Sequence, residues 1–229
     1  MYYLGLDVGS SSVKAAIVDA KSGKSILSVH EPKNEMGINS LNNDWAEQDP
    51  NMWWKYTCEA IKRVCEESNV DSKKIGSIGI SYQMHGLVVV DKNGSPLRDS
   101  IIWCDSRAVN IGNEAFEKLG QKKCMSHLLN SPGNFTASKL KWVKDNEPNI
   151  YEKIYKYMLP GDFIAYKLTG EINTTRNGLS EGIIWDYKNN STADWLLDHY
   201  GIDSNLTPDL VDNFSNQGTT NLKSSNETG

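Results

Sequence analysis

Apolar and polar positions alternate at the start of the chain. Tyr2–Asp7 and Val13–Asp19 are short apolar runs separated by Val8-Gly9-Ser10-Ser11-Ser12, and Ser25–His30 follows the turn-like Lys21-Ser22-Gly23-Lys24, a pattern that predicts an opening β-meander. Asp49-Pro50 then offers a side-chain cap with proline at the first helical position. Trp53, Tyr56, Ala60, Ile61 and Val64 recur at three- and four-residue steps behind it, which predicts an amphipathic helix to about Glu67. Strands are expected at Ile75–Ser81, Gly86–Asp91 and Ser100–Cys104, with Asp91-Lys92-Asn93-Gly94 as a turn. Helices are expected near Ser106–Leu119, Ala137–Asn146, Asp162–Leu168 and Thr192–Tyr200, with a strand over Glu181–Tyr187. A meander, then a helix, then alternation indicates an α/β fold with a mixed sheet; a pure doubly wound parallel sheet would open on a helical connection.

Length and composition narrow the picture. A chain of 229 residues with 38% hydrophobic positions is long enough to bury a core without a disulfide or metal staple. A net charge of −5 supplies no basic field for nucleic acid or anionic lipid. The longest aliphatic run, Leu87–Val90, falls far short of the roughly 20 residues that span a bilayer, so the chain is expected to be soluble and cytoplasmic. Cys58, Cys65, Cys104 and Cys124 show no C-x-x-C spacing and read as buried free thiols. From Ser215 onward the sequence is almost all Ser, Asn, Thr and Gly, with Leu222 its only aliphatic residue, and such a segment is expected not to bury itself. The division expected is a domain over 1–214 and a connecting segment over 215–229.

Three segments could carry chemistry. In Asp7-Val8-Gly9-Ser10-Ser11-Ser12-Val13-Lys14, a turn of glycine and small hydroxyl residues leaves backbone N–H groups free to converge on an anion, and Asp7 at the strand end can hold Mg²⁺ through water. An ordinary hairpin with a polar tip would read the same way, and neither G-x-G-x-x-G nor G-x-x-x-x-G-K-[ST] is present. Ser81-Tyr82-Gln83-Met84-His85-Gly86 combines hydrogen-bonding groups with an apolar surface, a mixture suited to a small polyhydroxylated ligand, although a plain β-turn with one exposed histidine would also fit. In Ile101-Ile102-Trp103-Cys104-Asp105-Ser106-Arg107, Trp103 could stack on a sugar face and Asp105 could accept from hydroxyls; alternatively Asp105 or Ser106 caps the next helix and Arg107 is a surface charge. All three segments lie at or just after strand ends, where ligands bind in α/β sheets.

These segments, with Trp45-Ala46-Glu47-Gln48-Asp49-Pro50-Asn51-Met52-Trp53-Trp54, Lys139-Leu140-Lys141-Trp142-Val143, Leu159-Pro160-Gly161-Asp162-Phe163 and Leu168-Thr169-Gly170-Glu171, occur in an order that resembles the amino-terminal domain of the FGGY carbohydrate kinases. Within that family, Gln83-Met84-His85-Gly86 is most similar to the members that phosphorylate xylulose. The resemblance implies a ribonuclease H-like, actin-related ATPase fold of two domains, with sugar and MgATP meeting between them. It implies that Asp7 orients Mg²⁺ and phosphates, that Gly9, Ser10, Ser11, Ser12 and Lys14 lie near the γ-phosphate, and that Met84 and His85 contact the sugar with Gln83, Trp103 and Asp105 close by. The implied partners are the sugar and ATP, with a homodimer of the intact enzyme allowed, and no nucleic acid or membrane.

The family's catalytic base is an aspartate in a glycine-rich segment that this chain lacks, so no catalytic residue is assigned here; Asp209 and Asp212 lie outside any such context. The expected reaction of the intact enzyme is phosphorylation of D-xylulose to D-xylulose 5-phosphate, with the chain inactive alone. The chain departs from the family pattern over Asn173–Gly182 and at Cys104, and a pocket selects among pentuloses through a few hydrogen bonds. Ribulose, fuculose, gluconate or glycerol therefore remain as alternative substrates, and a non-catalytic sugar-binding module remains as an alternative role.

Overall fold

The computed structural model describes residues 1–229. Strands β1 (Tyr2–Val8), β2 (Val13–Asp19) and β3 (Ser25–Glu31) form the expected meander, followed by the short β4 (Glu47–Gln48). Helix α1 (Pro50–Ser68) starts where the sequence placed it: the Asp49 carboxylate accepts from the Asn51 amide at 2.8 Å, and Pro50 takes the first turn. Strand β5 (Ile75–Tyr82) returns alongside β1, in parallel, giving a four-stranded sheet of order β3-β2-β1-β5. The Asp7↔Lys14 register and the parallel Val8↔Tyr82 register bring the serine turn and the Gln83 segment to one end of this sheet.

The chain continues through β6 (Val88–Val90), β7 (Ser100–Ile101), α2 (Val109–Leu119), α3 (Gln121–His127), α4 (Thr136–Asn146), α5 (Pro148–Tyr151), β8 (Lys156–Met158) and α6 (Pro160–Thr169). It ends with β9 (Asn173–Thr175), α7 (Arg176–Glu181), β10 (Trp185–Asp186), β11 (Ser191–Thr192), α8 (Asp194–Tyr200), β12 (Asp209–Val211) and α9 (Leu222–Thr228). No helix is long and apolar enough to cross a membrane.

Two apolar clusters result. One lies between the four-stranded sheet and helices α1 and α6; the other gathers α2, α3, α4, α7 and α8. Strand β6 separates them. Val88 and Val90 belong to the first cluster and Val89, with Leu87 just before it, to the second, so the period-two alternation of a strand feeds both. That accounts for the unbroken aliphatic run: a strand covered on both faces has no polar side.

Three expectations are corrected. Glu181–Tyr187 is not a continuous strand, because α7 runs through Glu181 and only Trp185–Asp186 pair, with Ser191–Thr192. The polar tail does dock. Asn221 and Ser224 form a reciprocal capping box, Ser224 Oγ donates to the Leu168 carbonyl at 2.6 Å, and Trp54 Nε1 donates to Glu227 at 2.6 Å, which seats α9 beside α1 and α6. All four cysteines are unpaired, but Cys104 is exposed and only Cys124 is fully buried.

Candidate active site at the sheet end

The turn after β1 has a definite polarity. Gly9 N–H donates to the Ser12 carbonyl at 3.0 Å. The carbonyls of Ser10 and Ser11 are drawn back into the fold, the first accepting from Gln48 Nε2 at 2.7 Å and the second from the Met36 amide at 2.8 Å. The amides of Ser10, Ser11 and Ser12 donate to no acceptor in the chain. Carbonyls held inward and three successive N–H groups turned out form a concavity suited to an anion. A Cβ on Gly9 would sit 3.1 Å from the Ser12 carbonyl, so a side chain there would crowd the bend. Beside it, Asp7 and Lys14 pair at 3.2 Å with both side chains about half exposed, leaving the carboxylate accessible to a hydrated cation and the ammonium to a phosphate.

Against this turn stands Trp103, whose Nε1 reaches Ser10 Oγ at 3.4 Å and whose surface is 51% exposed; Met84 is 55% exposed. Two large apolar side chains left half open at strand ends form a face that a ligand's carbon skeleton could cover. Gln83 lies just beneath, buried, with its amide nitrogen 3.4 Å from Gln48 Oε1 and its own Oε1 without a partner. Gln48 therefore ties the serine turn to the Gln83 segment.

Asp105 is placed behind this face. It is 0% exposed, and its carboxylate accepts from the Ala46 amide at 2.6 Å and from Arg107 through Nε and Nη2 at 2.7 to 3.0 Å. Arg107 also pairs with Glu47 at 2.6 Å and lies 3.8 Å above the Trp45 ring. Arg98 joins Glu47 and Glu147 in the same network. Segment 45–54 is thus a brace: Trp45 and Glu47 hold Arg107, Ala46 holds Asp105, and Gln48 holds the turn.

Two residues of the site were not singled out from the sequence. Lys139, fully buried on α4, donates to the His85 carbonyl at 2.8 Å and to the Ile102 carbonyl at 2.9 Å, joining the segment that carries Met84 to the one that carries Trp103. Burial pulls its ammonium down to about 8, against the pull of the neighbouring Asp105 carboxylate. Glu181, at the end of α7, accepts from the His85 amide at 2.7 Å, and burial pushes its carboxyl up to about 7. Lys139 opens the segment Lys139-Leu140-Lys141-Trp142-Val143 and Glu181 lies within 173–182, but the sequence gives neither a place in the site, since each acts through a partner on a distant element.

Asp162, at the start of α6, is likewise raised to about 7 by burial, its strongest opposing influence being the hydrogen bond from the Leu159 amide. A carboxyl whose native value exceeds its unfolded one near 3.9 holds an extra proton in the folded state between those values, so stability falls as pH rises from about 4 to about 7. Asp162→Asn keeps an oxygen for the Leu159 amide and removes that dependence. Urea unfolding should show the variant gaining roughly 2 to 3 kcal/mol on wild type between pH 5 and pH 8; parallel pH profiles would refute this.

Comparison with known proteins agrees with the geometry. The model of the FGGY family of carbohydrate kinases, N-terminal domain, matches residues 2–229. The chain belongs to the FGGY family of carbohydrate kinases. This FGGY domain is 32% identical to the xylulose kinase of Staphylococcus xylosus over 229 residues, covering all of the chain and 46% of that relative. It superposes on the crystal structure of a xylulose kinase from Brucella ovis with a TM-score of 0.89 at 29% identity, covering 97% of the chain and 46% of the other. Plasmodium falciparum glycerol kinase with ADP shares the fold, with a TM-score of 0.86 at 20% identity. The FGGY domain thus has the actin-like ATPase fold and spans about half the length of the curated relatives it matches.

Proposed function

We propose that the protein to which this chain contributes transfers the γ-phosphoryl group of ATP to the 5-hydroxyl of D-xylulose in the cytoplasm, and that this chain supplies one wall of the cleft. The observation that carries the reading is the contact between the two halves of the site: the outward amides of Ser10, Ser11 and Ser12 lie beside the half-open Trp103, which reaches Ser10 at 3.4 Å. Phosphoryl transfer needs acceptor and donor side by side, and most of its catalysis is positioning and charge neutralisation.

Magnesium-bound ATP brings the phosphoryl group and a cation that offsets its charge. Within the chain, Asp7 would hold the hydrated Mg²⁺, the Gly9–Ser12 turn would receive phosphate oxygens, and Lys14 would turn from Asp7 toward them. Met84 and Trp103 would cover the carbon skeleton, and His85 and Gln83 would meet hydroxyls. Asp105, closed in by Arg107 and Ala46, would set the shape of the wall without touching the sugar. The general base would come from a second domain, so the 229-residue chain alone should not turn over.

Titrating D-xylulose into the chain and following the Met84 methyl and His85 ring resonances tests the sugar wall. Saturable shifts confined to those groups and the Trp103 indole are expected. An intact enzyme that phosphorylates glycerol or gluconate in preference to D-xylulose would overturn the substrate assignment, and one that binds ketose without consuming ATP would establish the non-catalytic module instead.

A further inference from the structure

His85 sits in the left-handed region at φ 61°, a conformation a residue with a side chain keeps only where its surroundings enforce it. Here every polar atom but one is occupied. The amide donates to Glu181 Oε1 at 2.7 Å, ring Nδ1 lies 3.0 Å from the Glu181 carbonyl, and the His85 carbonyl accepts from Lys139 at 2.8 Å. The ring also stands edge-on to Phe135 at 4.5 Å, fixing its plane. Glu181 closes α7, so its carbonyl is one of the helix-end acceptors with no partner inside the helix.

A carbonyl oxygen can only accept. The ring nitrogen facing it must therefore be N–H, and in a neutral imidazole the other nitrogen is then a bare lone pair. Burial holds His85 below its ordinary value, which keeps the ring neutral at pH 7. We propose that Glu181 is a positioning residue: gripping His85 by both amide and ring, it presents Nε2 as an acceptor for a sugar hydroxyl. The site thereby selects a hydroxyl at that point of the ketose and disfavours a deoxy sugar. The inference rests on the sugar wall proposed above, and its first readout needs no sugar.

Nitrogen-15 NMR of the His85 ring in the 229-residue chain should report a protonated Nδ1 and an unprotonated Nε2. Glu181→Gln keeps an oxygen for the His85 amide and should preserve that pattern; Glu181→Ala retains the backbone carbonyl facing Nδ1 but loses the carboxylate that tethers the His85 amide, so the left-handed turn should loosen and the ring should leave that carbonyl for mixed tautomers. In the intact kinase, Glu181→Ala should raise KM for D-xylulose about tenfold with kcat within about threefold, and Glu181→Gln should stay within about twofold of wild type in both. A wild-type ring protonated at Nε2, or an unchanged KM in Glu181→Ala, overturns the role of Glu181 whatever the sugar. An intact enzyme that shows the expected ring and does not accept ketoses overturns the sugar reading instead.

Discussion

Asp7→Asn in the intact kinase should lower kcat/KM by about 100-fold, the scale seen when an outer-shell group holding a metal is lost. The change removes one negative charge from the rim of the turn and leaves the amides of Ser10, Ser11 and Ser12 in place. ATP affinity measured without Mg²⁺ should therefore change little, while the concentration of Mg²⁺ needed for half-maximal rate should rise. The fold should be unaffected, because the Asp7–Lys14 pair is half exposed on both sides and such pairs contribute little to stability. A variant with wild-type kcat/KM and Mg²⁺ dependence would remove Asp7 from the metal site.

Asp105→Ala should act on stability. Arg107 has a side chain only 1% exposed, and Asp105 takes it by two nitrogens. Deleting one member of a buried pair leaves the other charge uncompensated, at a cost of about 3 to 5 kcal/mol. Glu47 remains as a second partner, so the lower end of that range is expected. Urea unfolding of the 229-residue chain followed by tryptophan fluorescence would measure it, since Trp45 lies against Arg107. A loss under about 1 kcal/mol would mean that Asp105 is spare to the brace and free for another role.

The fold's framework was legible where local chemistry and tertiary packing agree. The β1–β2–β3 meander follows from alternation around Gly9-Ser10-Ser11-Ser12, and α1 follows from Asp49-Pro50 with apolar residues at helical spacing. It was not legible where the deciding partner is far away in sequence. Strand β8 exists because Val88–Val90 pairs with it, and β12 because Asn173–Thr175 does. Glu181–Tyr187 is apolar enough for a strand, yet Glu181 closes a helical turn capped by Thr175 and Ile183 takes a left-handed φ of 59°, which breaks an extended run. Tail residues Asn221 and Ser224 dock through hydrogen bonds, a contribution that counting aliphatic residues does not register. At the sheet end, the exposure of Met84 and Trp103 follows from their places just past strand ends. The joints made by Lys139 and Glu181 do not follow from the sequence, because a lysine among helical residues and a glutamate before a glycine look ordinary until their acceptors and donors are placed.

Strand β6 begins two residues after Gly86 and is gripped on one side by each apolar cluster. A packing change deep in either interior, far from any ligand, therefore has a three-residue lever on the loop that carries Met84 and His85. Ligand preference in such a scaffold can drift through interior substitutions while every side chain exposed at the sheet end keeps its identity.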